Sequence, residues 1–229
     1  MSVELVNAQS DAIVWTTNLP NVESFTCMVW YKKTGASGVQ PNIFSIGDVG
    51  VEGRSLYLGS DTTATVWDGS SGNSIGVDPN TTDWYCVAFR GNGTALKGYI
   101  KVETAGSFTT ATGTQSTGIA EDVLCLGRWI SGSGADCIQG LLRAYKQWNT
   151  ALTDGEIDTE STQLDPVVTS GLQRYIGLSD NTDTNDQSGN GYNPTIEGAL
   201  ATNADNPTTP ETGSGSALVH RGLMLGVGI

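Results

Sequence analysis

Three acidic residues alternate with other residue types over five positions, Glu156, Asp158 and Glu160. In a β-strand successive side chains point to opposite faces, so alternate carboxylates project together from one face. Paired carboxyl groups perform glycoside hydrolysis, one as nucleophile or base and the other as general acid. This interpretation makes Glu156 the nucleophile, Asp158 its modulator and Glu160 the acid.

The same run also fits the first turn of a helix. Thr153 is a good N-cap residue, and Glu156 occupies the N3 position that completes a capping box. Leu152 and Ile157 fit the hydrophobic staple that accompanies such a box. The flanking residues do not continue the apolar alternation that a buried catalytic strand requires. We therefore predict one short helix after residue 153 and no catalytic residues, with the catalytic strand as the alternative.

Aromatic residues near predicted loops are candidates for stacking on sugar rings, whose apolar C–H face suits an aromatic plane. Trp67 precedes a turn signal, and Trp129 ends a strand-like run before a Ser/Gly-rich stretch. We predict a ligand-binding platform of Trp67, Trp129, Tyr57 and Tyr192, with ordinary packing as the alternative. The tryptophans predicted to lie in the core are Trp30, Trp84 and Trp148.

Oxygen-bearing side chains alternate between residues 180 and 186, as a calcium-binding loop requires. The predicted ligands are Asp180, Asp183 and Asp186. The run departs from the helix-loop-helix calcium motif, because Asp186 stands where that motif has Gly and no Glu closes the site. Two interpretations stay open, a calcium site and a loop of Asx turns without an ion, and calcium is the one cofactor that the sequence suggests.

The charge balance excludes several partners. Eleven basic residues against 24 acidic ones leave a net charge of −13, which repels nucleic acid phosphates. No stretch has the roughly 18 apolar residues of a membrane helix, so we predict no membrane insertion.

The N-terminal residues lack a basic region followed by an apolar block, which is the pattern of a secretory signal peptide. The expected location is extracellular or virion-associated, without a cleavable signal peptide.

Cysteine and histidine chemistry is limited by number and spacing. The single His220 leaves no partner set for a zinc site or a catalytic triad. No two cysteines form a C-x-x-C pair, and three lie in strand-like runs. We predict buried thiols, with one disulfide as the alternative, for Cys27, Cys86, Cys125 and Cys137.

Short alternating apolar runs separated by Gly, Asn and Asp clusters indicate strands joined by turns. Because local turns join antiparallel strands, we predict an all-β antiparallel sandwich. The predicted strands are 25–32, 41–46, 55–59, 64–67, 84–90, 97–102, 123–128 and 138–148.

The composition changes near residue 200. Residues 201–216 are rich in Pro, Thr, Gly and Ser, which predicts a linker after a domain of residues 1–200. In residues 217–229 five apolar side chains share one parity, which predicts a strand with one apolar face; they are Val219, Leu223, Leu225, Val227 and Ile229. This strand either returns to the sandwich or pairs with another subunit, giving a homo-oligomer.

Three stretches together resemble the concanavalin A-like lectin/glucanase superfamily, in particular its laminin-G-like domains. They are FTCMVWY at 25–31, DWYCVAFRGNGT at 83–94, and the stretch 140–157 that ends in ALTDGEI. The sequence DQSGNG at 186–191 is also similar to a motif of such domains, and the resemblance spans roughly residues 22–195. It implies a jelly-roll β-sandwich. Within this superfamily, laminarinase-type glucanases carry an E-x-D-x-E strand that resembles Glu156 to Glu160.

The resemblance implies a surface module and leaves three functions open. The first is non-catalytic binding of a polysaccharide or other glycan, or adhesion, in a phage or virion surface component. The second is a structural virion protein that serves assembly alone. The third is a glycan hydrolase that uses Glu156, Asp158 and Glu160.

Overall fold

The protein is a sandwich of two antiparallel β-sheets with one short helix, as predicted. The computed structural model describes residues 1–5, 11–21, 23–35, 40–48, 52–58, 63–115, 117, 121–130 and 137–209. All pairings between the named strands of these residues are antiparallel. The predicted jelly-roll class is confirmed.

Fifteen strands and one helix lie within the described residues. One sheet contains β1 (Ser2–Leu5), β3 (Ser24–Lys33), β8 (Tyr85–Asn92), β9 (Ala95–Val102), β10 (Thr109–Thr114), β12 (Gly140–Trp148), β13 (Leu172–Ile176) and β15 (Leu200–Asn203). The other contains β2 (Ala12–Trp15), β4 (Asn42–Asp48), β5 (Glu52–Leu58), β6 (Ala64–Trp67), β7 (Gly72–Ser74), β11 (Val123–Leu126) and β14 (Thr195–Glu197). The helix α1 spans Asp154–Glu160.

In each sheet some neighbouring strands are consecutive in the chain and others come from distant parts of it. The eight-stranded sheet runs β10-β9-β8-β3-β12-β1-β15, and β13 pairs with β12 beside β1. The seven-stranded sheet runs β14-β2-β11-β4-β5-β6-β7. Strand β12 is central because its first half pairs with β1 and its second half with β13.

The main core fills the space between the sheets. Alternation along β3 turns Cys27, Val29 and Tyr31 inward, and Leu56 and Leu58 face them from β5 in the same buried cluster. Burial of each large apolar side chain contributes about 1.5–3 kcal/mol. This core is what holds the two sheets face to face.

A second apolar cluster covers the outer face of the eight-stranded sheet. The alternate residues of β3, Met28 and Trp30, point to this face and pack with Trp148 of β12. Helix α1 and the segments around it close the cluster with Leu152, Ile157 and Leu164. Trp30, Trp84 and Trp148 are 1%, 4% and 0% exposed, so their predicted core positions are confirmed.

The four cysteines are free and buried, as the preferred interpretation predicted. Burial raises the pKa of Cys27 and Cys86 to about 12 and that of Cys125 to about 11. The thiols therefore stay protonated at neutral pH and act as small apolar side chains.

The chain stays in the sheet beyond the predicted domain end. Strand β15 pairs with β1 from Ser2↔Asn203 to Leu5↔Leu200, so its last three residues lie in the range assigned to the linker. Asp205 then binds Lys32 and Trp84. The remaining linker from residue 210 and the predicted terminal strand 217–229 lie outside the described residues.

Candidate functional site

The acidic run 156–160 lies on helix α1, so the helix interpretation is confirmed. Thr153 is the N-cap: the Glu156 backbone N–H donates to its Oγ1 at 3.2 Å. The Thr153 N–H donates in return to Glu156 Oε2 at 2.7 Å. These hydrogen bonds from Thr153 hold the pKa of the partly exposed Glu156 below its ordinary value. Glu156 therefore acts as a capping residue.

Glu160 is turned away from solvent and is 0% exposed. Its Oε2 accepts a hydrogen bond from Lys146 Nζ at 2.7 Å, and its Oε1 accepts from the backbone N–H groups of Val167 and Val168. Since Glu156 and Asp158 are on the surface of the helix and Glu160 is beneath it, the three carboxylates do not face one cleft. The hydrolase hypothesis for this run is wrong, because a helix replaces the strand alternation that it required.

Three of the four predicted platform residues come together in one pocket on the outer face of the seven-stranded sheet. We call it the outer pocket, and its volume is about 220 Å³. Its described lining residues are Gln40, Asn42, Ser55, Tyr57, Trp67 and Trp129. It lies on the opposite side of the sandwich from helix α1.

Strand register explains why these side chains meet. In β5, Leu56 and Leu58 point into the core, so Ser55 and Tyr57 point outward. Ser55 pairs with Trp67 of β6, which places the hydroxyl and the indole side by side on that face. Asn42 of β4 pairs with Tyr57 from the other side.

Two glycines leave room for the aromatic rings. A Cβ atom at Gly53 would lie 2.6 Å from Cη2 of Trp129, so this indole lies directly over the Gly53 backbone. A Cβ atom at Gly72 would lie 2.9 Å from the Tyr57 hydroxyl oxygen. The rings therefore lie close to the sheet, with Tyr57, Trp67 and Trp129 all partly exposed.

The polar groups of the pocket are amides and hydroxyls. Asn42 is 3% exposed, and its Nδ2 donates to the Gln40 carbonyl oxygen at 2.7 Å. Its Oδ1 is buried and has no hydrogen-bond partner among the described residues. Burial raises the pKa of Tyr57, so its hydroxyl remains a donor at neutral pH. Such a combination of ring faces and convergent uncharged polar groups suits a sugar.

Tyr192, the fourth predicted platform residue, lies elsewhere. Its carbonyl oxygen accepts a hydrogen bond from Trp15 Nε1 at 2.9 Å, and Cζ of the buried Arg174 lies 5.3 Å from its ring centroid. The platform of four residues is therefore reduced to three in the outer pocket. Sequence reasoning missed Gln40, Asn42 and Ser55, since single polar residues in strands carry no distinctive signal.

The three aspartates predicted to bind calcium all accept hydrogen bonds from backbone N–H groups. Asp180 accepts from the N–H groups of Thr182 and Asp183, and Asp183 accepts from Ser179. Asp186 accepts from the N–H groups of Tyr175, Ser188 and Tyr192. Burial favours a higher pKa for Asp186, but these donors outweigh it and lower the pKa.

Within the described residues, no three acidic, cysteine or histidine side chains form a group suited to a metal ion. The calcium site stays a prediction.

The loop that carries Asp180 has a structural contact of its own. Asn181 N–H donates to Thr202 Oγ1 at 3.1 Å, and the Thr202 hydroxyl donates to Asn181 Oδ1 at 3.0 Å. Because β15 is at the edge of its sheet, this loop covers part of the exposed edge.

Among the described residues no helix is long and apolar enough to cross a membrane.

Similar structures share the sandwich at low identity. A putative carbohydrate binding protein from Bacteroides ovatus is 16% identical, with a TM-score of 0.59 over 89% of this chain and 61% of that one. Domain 4 of an arabinanase from Geobacillus stearothermophilus, in complex with arabinotriose, is 20% identical, with a TM-score of 0.51 over 68% and 74%. The enzymatically active domain of tailspike protein 2 of bacteriophage CBA120 is 13% identical, with a TM-score of 0.57 over 73% and 28%. At these identities the likeness shows the fold alone.

A search of curated proteins found no significant match. A laminin G family described as "Concanavalin A-like lectin/glucanases superfamily" matches residues 7–158, from before β2 to within α1. The predicted resemblance is thus confirmed over most of its span, and the match agrees with the two antiparallel sheets. This chain belongs to the concanavalin A-like lectin/glucanases superfamily.

Proposed function

We propose that the protein is a non-catalytic carbohydrate-binding module that binds a glycan in the outer pocket. The observation that carries this proposal is the convergence of Tyr57, Trp67 and Trp129 around uncharged polar groups on one sheet face. The rings offer apolar planes to the C–H face of a sugar, while Asn42 and Ser55 offer directional hydrogen bonds.

The position of the acidic run supports a binding role rather than hydrolysis. Glu156 caps helix α1, and Glu160 is bound to Lys146 beneath it. Both lie on the eight-stranded side of the sandwich, away from the outer pocket. The names of the Bacteroides ovatus protein and of the arabinanase domain bound to arabinotriose are in keeping with a carbohydrate ligand.

The test is calorimetric titration with a panel of oligosaccharides, using wild type, Trp67→Ala and Trp129→Ala. Large aromatic residues at the centre of a binding site contribute about 2 kcal/mol, so each variant should bind about thirtyfold more weakly. Tyr192→Ala is the matched control, because Tyr192 is an aromatic residue outside the outer pocket, and it should bind like wild type. Absence of binding to every saccharide, or equal losses in all three variants, would refute the proposal.

A second candidate is a structural component of a virion, and the likeness to a domain of a phage tailspike is in keeping with a virion location. In that case the sandwich would serve as a spacer or attachment domain, extracellular or virion-associated, and glycan binding would be dispensable. The measurement that separates the two is adsorption of the protein to host cells or to purified surface polysaccharide. Adsorption that Trp67→Ala abolishes supports the binding module, and adsorption unaffected by it supports the structural role.

A further inference from the structure

The amide of Asn42 presents an acceptor for which the described residues supply no donor. Its Nδ2 faces the Gln40 carbonyl oxygen at 2.7 Å, which fixes the orientation of the amide because two carbonyl oxygens would repel each other. The remaining atom, Oδ1, is buried without a partner, and Asn42 is one of the residues that line the outer pocket. A buried acceptor without a donor is costly, so a ligand that donates a hydrogen bond to it gains affinity.

The described lining of the outer pocket offers no cation to an anionic ligand. None of the six described lining side chains carries a charge. Alternation along β5 turns Arg54 to the same side as Leu56, away from Ser55 and Tyr57. Arg128, which precedes Trp129, is paired through Nη1 with Glu197 Oε2 at 2.6 Å. The net charge of −13 adds a general repulsion of anions.

The size of the pocket limits what enters it. Pockets for drug-sized ligands measure roughly 300–1,000 Å³, and the outer pocket measures about 220 Å³. It therefore has room for one ring and its substituents. Tyr57 and the two indoles around that space favour a ring with an apolar face.

We propose that the outer pocket selects a single neutral sugar ring, one hydroxyl of which donates to Asn42 Oδ1, and discriminates against sugar acids. This inference rests on the proposed function and adds the class of sugar to it. A carboxylate brings only acceptors, so it would meet Asn42 Oδ1 without a proton to share and without a cation nearby. A hydroxymethyl or hydroxyl group at the same place donates a hydrogen bond to Asn42 Oδ1.

The experiment compares matched sugars that differ in charge. The probes are methyl galactoside against methyl galacturonoside, methyl glucoside against methyl glucuronoside, and lactose against sialyllactose. Binding is followed by calorimetry and by tryptophan fluorescence, since Trp67 and Trp129 line the pocket. In the pair that binds, the neutral sugar should be preferred by about tenfold or more. The preference should persist in 0.5 M salt, where general charge repulsion is screened.

A variant tests the role assigned to Asn42. Asn42→Leu keeps a similar volume but removes the acceptor, and it should bind the preferred neutral sugar about tenfold more weakly. Thermal unfolding of the variant shows whether it is folded. If it is not, the monodeoxy forms of the preferred sugar are titrated into wild type instead, and one of them should lose about tenfold in affinity.

The outcomes separate this inference from the function on which it rests. Equal or tighter binding of the acidic member of a pair overturns the neutral-sugar inference while leaving carbohydrate binding intact. Full affinity in a folded Asn42→Leu variant, or in every deoxy sugar, overturns the role of Asn42. Failure of every neutral and acidic sugar to bind refutes the proposed function itself.

Discussion

Lys146 Nζ lies 2.7 Å from Glu160 Oε2, and both side chains are 0% exposed. Lys146 also donates to the backbone oxygens of Gln163 and Asp165, so one cation fastens α1 and the following segment onto strand β12. Burial lowers the pKa of Lys146, and the Glu160 carboxylate opposes this. Removing one partner of a buried pair leaves the other charge uncompensated.

Glu160→Gln should therefore lower the free energy of unfolding by about 3–5 kcal/mol. Glu156→Gln is the matched control: a glutamine at N3 still completes a capping box, so this variant should unfold close to wild type. Denaturant titration followed by tryptophan fluorescence measures both. Equal stability of the two variants would contradict the anchoring role of Glu160.

Acid should destabilise the fold through Asp68, which follows β6 and is 6% exposed. Burial favours a higher pKa, but the N–H and O–H groups of Ser71 and Ser70 outweigh it and lower the pKa from 3.8 to about 2. Because the folded-state pKa is below the unfolded one, the stabilisation is present above about pH 4 and is lost as the pH falls towards 2. It amounts to about 2 kcal/mol.

Asp68→Asn should remove this part of the acid sensitivity. Unfolding free energies measured by urea titration between pH 5 and pH 2 should fall about 2 kcal/mol further for wild type than for the variant. Asp78→Asn, at an exposed aspartate, serves as the control and should follow wild type. Parallel curves for wild type and Asp68→Asn would show that the carboxylate carries no such linkage.

Calcium should raise the unfolding temperature if it binds at Asp180, Asp183 and Asp186, the site predicted from the sequence. An ion that binds only the folded state stabilises it by RT ln(1 + c/Kd), where c is the free calcium concentration, so the unfolding temperature would rise once c exceeds Kd. The measurement is thermal unfolding with EDTA or with 1 mM calcium. A rise that Asp183→Asn abolishes would establish the calcium site predicted from the sequence.

Shortening the chain should have two distinct effects. Ending it after residue 209 keeps β15 and the contacts of Asp205, so any loss of stability in this variant would come from residues 210–229. Ending it after residue 199 removes the β1 pairing and the bonds of Asp205 to Lys32 and Trp84, at a cost on the order of 3 kcal/mol. Light scattering of the first variant tests the predicted homo-oligomer, since a drop in mass relative to wild type would assign assembly to residues 210–229.

Elements with strong local signals were predictable. Helix α1 carries its signal in Thr153, Glu156 and Ile157, and the long strands β3, β8 and β12 carry runs of apolar and aromatic residues that are buried on both faces. The short strands β1, β2, β7, β10, β13, β14 and β15 were not predicted. Their residues gain stability from neighbours distant in sequence, as when Ser2 pairs with Asn203, and a local pattern does not contain that energy.

The sequence by itself determined the superfamily, the all-β class, the capped helix and three aromatic residues of the pocket, because each depends on residue type and local spacing. The tertiary structure decided which of those residues meet. It brought Tyr57, Trp67 and Trp129 together with Asn42 and placed Tyr192 beside Arg174. It also buried Glu160 against Lys146. The physical reason is that strand order and register depend on burial across two whole sheets. Burial in turn depends on contacts between residues far apart in the chain, which a local pattern does not contain.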